Sequence, residues 1–306
     1  MSTEASGHEK YYIPEKSSIP IVFAAATLLV GWGAANAVVG GGTSMLLVGM
    51  MALVATMGFW WAVVIRESQA GLDTPALNSS YVYGMAWFIF SEVMFFFAFF
   101  GALFYIRSFA VPWLGGEGDK GLAGELLWPE FQATWPPMIT PEQSVMGDKA
   151  VTVGPGESMY LHSISSIFTW LPLWNTIVLL SSSGTVHFAH MALKENNRKR
   201  FNFWLGITVA LAFIFVILQA VEYYEAYAHL GLTISSGVYG TTFFMLTGFH
   251  GMHVLIGGIF LLTQLTRSTG FKHFTDKEHF GFEAASWYWH FVDVVWVCLF
   301  LFVYIL

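Results

Sequence analysis

The 306-residue chain has a single cysteine, Cys298, which leaves no partner for an intramolecular disulfide and no basis for a cysteine metal site. Charge is almost as scarce. Asp, Glu, Lys and Arg make up 11% of the residues, against about 25% in soluble domains. With 56% hydrophobic residues and a mean hydropathy of +0.59, most of the chain cannot face water. Gly-x-Ser-x-Gly, Gly-Lys-Ser/Thr and Cys-x-x-Cys are all absent, which removes the usual signatures of a serine nucleophile, a phosphate loop and a dithiol redox centre. No internal repeat or low-complexity tract is visible, so the inverted-repeat signature of many transporters is missing too.

Long charge-free runs are what the chain does have. They cover residues 17–65, 74–91, 93–106, 158–193, 201–221, 226–266 and everything after Asp293. A membrane span needs about 20 apolar residues at a rise of about 1.5 Å each. The first run is long enough for two spans, broken at Gly40, Gly41 and Gly42. The pattern predicts an all-α polytopic membrane protein with seven helices, near 19–39, 44–65, 82–107, 158–185, 201–224, 238–266 and 284–306. Residues 1–18 read as a polar cytoplasmic tail without the short basic start of a cleavable leader. Residues 19–66 then form a two-helix unit, and 67–306 a five-helix unit with a long outer loop at 108–157.

Orientation follows from the basic residues. With the N-terminus inside, all of the 13 Lys and Arg residues except Arg107, Lys120 and Lys149 fall on the inner side. The net charge of −7 therefore says little about nucleic acid, and no nucleic-acid partner is expected. The outer loop is acidic and rich in Gly and Pro, and loops of this length are usually functional or disordered. Its Trp128 and Trp135 suit the outer membrane surface.

Within the spans, Glu92 is the one charged residue of the stretch 85–105. A lone acid at bilayer depth is costly to ionise and marks a functional site by default. Phe88, Phe95 and Phe96 occupy the neighbouring turns of its own helix, so a partner has to come from a facing helix: His250, His253 or a backbone carbonyl. His250 and His253 are three apart on one helix, as are His187 and His190. Such a pair could supply two metal ligands, but a site needs a third and a fourth. Hydrogen-bonded packing beside Gly248, Gly251, Gly257 and Gly258 is the simpler role, and no metal is expected. His290 and Asp293 are spaced to hydrogen-bond along one face, and Cys298 reads as small apolar packing. Glu222 and Glu225 share a face at a helix C-terminus, where acids oppose the dipole and call for a partner or interfacial water. On the inner side, Arg66, Arg267, Lys272 and His273, with Trp60 and Trp61, compose a rim suited to lipid phosphates.

Six strings carry a resemblance. They are WWAVVIRESQ, YGMAWFIFSEVMFFFAFF, LPLWNTIVLLSSS, LQAVEYYEA, SSGVYGTTFFMLTGFHGMHVLIGGIF and HFGFEAASWYWHFVDVVWVCLFLFVYI. In this order, from the second span to the C-terminus, they closely resemble subunit III of haem–copper cytochrome c oxidase. The resemblance implies seven helices arranged as two plus five around a cleft filled with phospholipid. It also implies no catalytic residue and no redox cofactor in this chain, with haem and copper held by partner subunits I and II. The tasks it implies are support of proton uptake, protection of the catalytic subunit from turnover-linked inactivation, and a route for oxygen. Cytochrome c would be met only indirectly.

Glu92 matches the family's membrane carboxylate, and Arg66 and Glu67 match its Arg-Glu pair near lipid head groups. Arg267, Lys272 and His273 fall in the corresponding inner loop. Two departures stand out: Met138–Ser158 looks like an insertion, and Ala62 stands where many relatives carry a basic residue. The presence of the first two helices favours the cytochrome c class over the quinol class. The polar tail and the insertion favour a bacterial inner membrane over the mitochondrial one, with the N-terminus cytoplasmic and the C-terminus periplasmic. Two other readings compete: an independent ion transporter using Glu92 and Asp293, and a pure lipid or assembly scaffold.

Overall fold

The computed structural model describes residues 16–72, 75–161, 163–271, 274 and 279–306. Among them are seven helices long and apolar enough to cross a membrane, and no strand. They are α1 (Ile19–Val38), α2 (Ser44–Gln69), α3 (Pro75–Tyr105), α4 (Leu171–Lys194), α5 (Arg198–Ala228), α6 (Gly237–Thr269) and α7 (Phe280–Leu299). Two of them loosen at their ends into π-helical turns, α3 through Ile106–Ala110 and α7 through Phe300–Ile305.

The largest departure from the expected spans is at α4. The helix anticipated near 158–185 begins only at Leu171. Pro172 stands in its first turn, where a missing N–H costs nothing, and Trp170 before it is extended, as the residue ahead of a helix start usually is. Residues 164–169 form a 3₁₀ segment instead. Absence of charge marks membrane-compatible sequence, but proline and backbone satisfaction decide where the helix starts.

The chain forms two compact units, one ending at Gly84 and the other running from Met85 to Leu306, so the boundary lies within α3. In the first unit α1 and α2 form an antiparallel hairpin. Gly40 and Gly42 turn the chain with φ of 83° and 89°, and Asn36 Nδ2 donates to the Gly41 carbonyl at 2.9 Å. The helices touch backbone to backbone. A Cβ on Gly33 would stand 2.4 Å from the Leu46 nitrogen, and one on Gly49 would stand 2.7 Å from that of Val30. Small residues permit this approach where lipid supplies no hydrophobic drive. Gly33→Leu is expected to destabilise the hairpin by about 1–3 kcal/mol through overpacking. A lowered thermal midpoint of the purified protein reads this out, with Gly31→Leu, which faces open space, as the unaffected control.

In the second unit the core lies around α7. Of the apolar stretch of α7, 56% is buried, against 11% for those of α1, α2 and α3. Trp289, Trp296, Phe215, Phe243 and Tyr304 are fully buried. The α7 indoles are fixed by α4 hydroxyls: Trp289 Nε1 donates to Ser182 Oγ and Trp296 Nε1 to Thr176 Oγ1, each at 2.9 Å. Both bonds satisfy a polar handle in an otherwise apolar core. At one end of the bundle the Arg107 guanidinium donates to the Leu306 carbonyl, so α3 and α7 finish on the same side.

The segment after α3 is folded. Thr140 and Gln143 form a capping box on the short helix Pro141–Met146, and Glu142 accepts from the Val151 and Thr152 amides at 3.1 Å each. Gly156 N donates to the Leu230 carbonyl at 2.9 Å, and Met159 N to the Tyr239 hydroxyl at 3.0 Å, which ties the segment to the α5–α6 turn. Trp135 donates to Tyr160 Oη at 2.6 Å and sets its ring edge-on to Tyr239. Burial pushes the Tyr160 phenol above its ordinary range, against the opposing pull of the Trp135 hydrogen bond and the Arg107 charge.

Candidate functional site: carboxylates inside the helical bundle

Of the acids carried by the spanning helices of the second unit, Glu92, Glu222 and Asp293 each meet different chemistry. Glu92 on α3 reaches His253 on α6, with Oε2 2.9 Å from Nε2. The other ring nitrogen, Nδ1, lies 2.6 Å from the Phe249 carbonyl. A carbonyl can only accept, so Nδ1 carries a proton. A single further proton then lies between Nε2 and Oε2, in either of two forms: a carboxylic acid donating to neutral imidazole, or an imidazolium donating to carboxylate. The pair is neutral overall in both, so moving that proton brings no net charge into the membrane. Phe95 and Phe96 flank the imidazole, and the Tyr288 ring stacks on it. Glu92 keeps 24% side-chain exposure against 7% for His253, so the acid is the accessible end.

Glu222 on α5 is fully buried. Its Oε2 accepts from Asn175 Nδ2 of α4 at 2.9 Å, and its Oε1 accepts from the Tyr304 hydroxyl beyond α7. Glu225, three residues on, is exposed, so the two acids do not share an environment. The partner called for at Glu222 is therefore a pair of side chains from two other segments.

Asp293 on α7 is buried, and neither of its oxygens has a hydrogen-bond partner among the described residues. His290 Nδ1 is 3.6 Å from Oδ2, beyond hydrogen-bond length, and that nitrogen is 2.9 Å from Ser183 Oγ on α4. His250 does not pair with His253. Its Nε2 lies 3.1 Å from the Val292 carbonyl, and its ring packs between Phe215 and Trp296.

These positions fall within a family-level match. The model described as cytochrome c oxidase subunit III matches residues 8–117 and 157–306. The chain belongs to the cytochrome c oxidase subunit III family. Cytochrome c oxidase subunit 3 of Latimeria chalumnae is 42% identical over 295 residues, that of Loxodonta africana 41% over 295, and that of Oryctolagus cuniculus 40% over 296. Each alignment covers 96% of this chain and 96% of the relative. As a member of the subunit III family, the chain is a component of a terminal oxidase complex in a membrane. Residues 118–156, between the two matched stretches, contain most of the suspected insertion at Met138–Ser158.

The lipid-rim residues divide. Trp60 lines a groove of about 390 Å³ between α1 and α2 with Phe23, Val63, Val64 and Glu67, while Arg66 is exposed in the last turn of α2. Trp61 is exposed beside it. Arg267, in the last turn of α6, is half-buried, donates to Gln264 Oε1 at 3.1 Å and lies over the Phe274 ring. Lys272 and His273 lie outside the described residues. Sequence reading missed Asn175 and Tyr304, which hold Glu222, and Ser183, which holds His290. Each looks like an ordinary polar or aromatic residue until the helices are packed.

Proposed function

We propose that this subunit III is the non-redox accessory subunit of a proton-pumping oxidase passing electrons from cytochrome c to O2. In this reading it binds subunits I and II, which hold the haems and copper, and meets cytochrome c only through them. The observation that carries it is the Glu92–His253 pair, a one-proton site at the accessible edge of the bundle, suited to supporting proton uptake or lining an oxygen path. Phospholipid binding is supported by the apolar groove beside Trp60 and by the charge of Arg66 at the end of the same helix. Trp61 and Arg267, together with Lys272 and His273 outside the described residues, are proposed as further lipid contacts.

The distribution of basic residues supports an N-terminus on the inner side and a C-terminus on the outer side. The polar tail and the insertion at Met138–Ser158 favour a bacterial inner membrane, with the mitochondrial inner membrane as the alternative. The test is a reduced-minus-oxidised spectrum of this chain alone and of the complex that co-purifies with it under mild detergent. The expected result is a colourless chain within a haem-containing, oxygen-consuming complex. Haem bound by the isolated chain, or a colourless complex, would overturn the proposal.

A further inference from the structure

On the side of the bundle opposite the Arg107–Leu306 contact, the end of α4 meets the start of α7. There His190, from the last turns of α4, faces His279 and Glu283. Glu283 Oε1 lies 3.3 Å from His190 Nε2 and also 3.3 Å from His279 Nε2. Both separations exceed a well-formed N–H···O bond, and His190 Nε2, buried from solvent, has no hydrogen-bond partner among the described residues. One donor atom from each of the three residues falls within 4.8 Å of the others.

A tetrahedral zinc ion with bonds of about 2.0–2.2 Å holds its ligand atoms roughly 3.3–3.6 Å apart. The spacing of Glu283 from both imidazoles fits that value. Two imidazoles and a carboxylate form a donor set that suits zinc and leaves a fourth position for water. His279 and Glu283 are four apart at the start of α7, so one helix face presents both. Their partner is on another helix, and the His187–His190 spacing noticed in the sequence plays no part: His187 is exposed.

We propose that His190, His279 and Glu283 bind one zinc(II) ion, which pins the end of α4 to the start of α7. Lys194, one turn beyond His190, adds a nearby positive charge that works against a bound cation. The site is independent of the accessory role argued above, since no residue is shared with the Glu92–His253 pair.

The experiment uses the complex purified through this chain, equilibrated with Zn2+, freed of unbound ion by dialysis and assayed for zinc per haem. Wild type is expected to retain one zinc equivalent more than His190→Ala and His279→Ala, with retention at that site at least tenfold weaker in Glu283→Gln. Haem content reports assembly separately from zinc, so loss of the complex is not read as loss of the site. If the alanine variants do not assemble, the zinc-edge absorption spectrum of wild type decides, with two imidazoles and one carboxylate expected among the ligands. Equal zinc in wild type and assembled variants, or a zinc shell without two imidazoles, would overturn the proposal.

Discussion

Glu222→Ala is expected to destabilise the second unit by about 3 kcal/mol or more, while Glu222→Gln is expected to remain close to wild type. The carboxylate accepts from Asn175 on one oxygen and from Tyr304 on the other, with no exposure to water. Alanine leaves both donors buried and unsatisfied, at about 1–3 kcal/mol each, and adds a cavity. Glutamine keeps the acceptor for Tyr304. Its new N–H group can find Asn175 Oδ1, which has no partner in the present arrangement, once the Asn175 amide turns over. The measurement is the yield and thermal midpoint of the detergent-purified complex. An alanine variant as stable as wild type would show that the Glu222 cluster contributes nothing to packing.

That cluster also shows where sequence reading stops. The seven spans are legible because charge-free runs longer than about 20 residues have few other uses. The need for a partner at Glu222 is legible as well, from an acid at the wrong end of a helix. The partner's identity is not, because Asn175 and Tyr304 lie 47 and 82 residues away and meet the acid only when α4, α5 and α7 pack. Glu92 is an intermediate case. Chemistry narrowed its partner to three candidates, and packing selected His253 from a helix 161 residues distant. The His190–His279–Glu283 cluster is illegible for a related reason: along the sequence His190 pairs with His187 on its own helix, whereas His279 and Glu283 come from another. The segment around Pro141–Met146 read as acidic, Gly- and Pro-rich loop, yet Thr140 and Glu142 satisfy enough backbone to fold it.

For Glu92→Gln the expected outcome is an assembled complex with altered chemistry at one point. The new amide N–H donates to His253 Nε2 in place of the acid, so the contact between α3 and α6 survives and stability changes by no more than about 1 kcal/mol. What disappears is the proton shared between oxygen and nitrogen. A hydrophobic carbodiimide, which reacts with a protonated carboxyl in an apolar setting, should label wild type at Glu92 and leave the variant unlabelled. Absence of labelling in wild type would mean that the acid is closed to the lipid phase despite its 24% side-chain exposure.

The most direct test of the accessory role is the number of turnovers each purified oxidase complex completes before it loses activity, measured by oxygen consumption at matched haem content. If the Glu92–His253 pair supports proton supply to the catalytic subunit, Glu92→Gln begins at a rate near wild type and fails after several-fold fewer turnovers. Identical initial rates together with identical lifetimes would contradict this account and leave Glu92 as a packing residue.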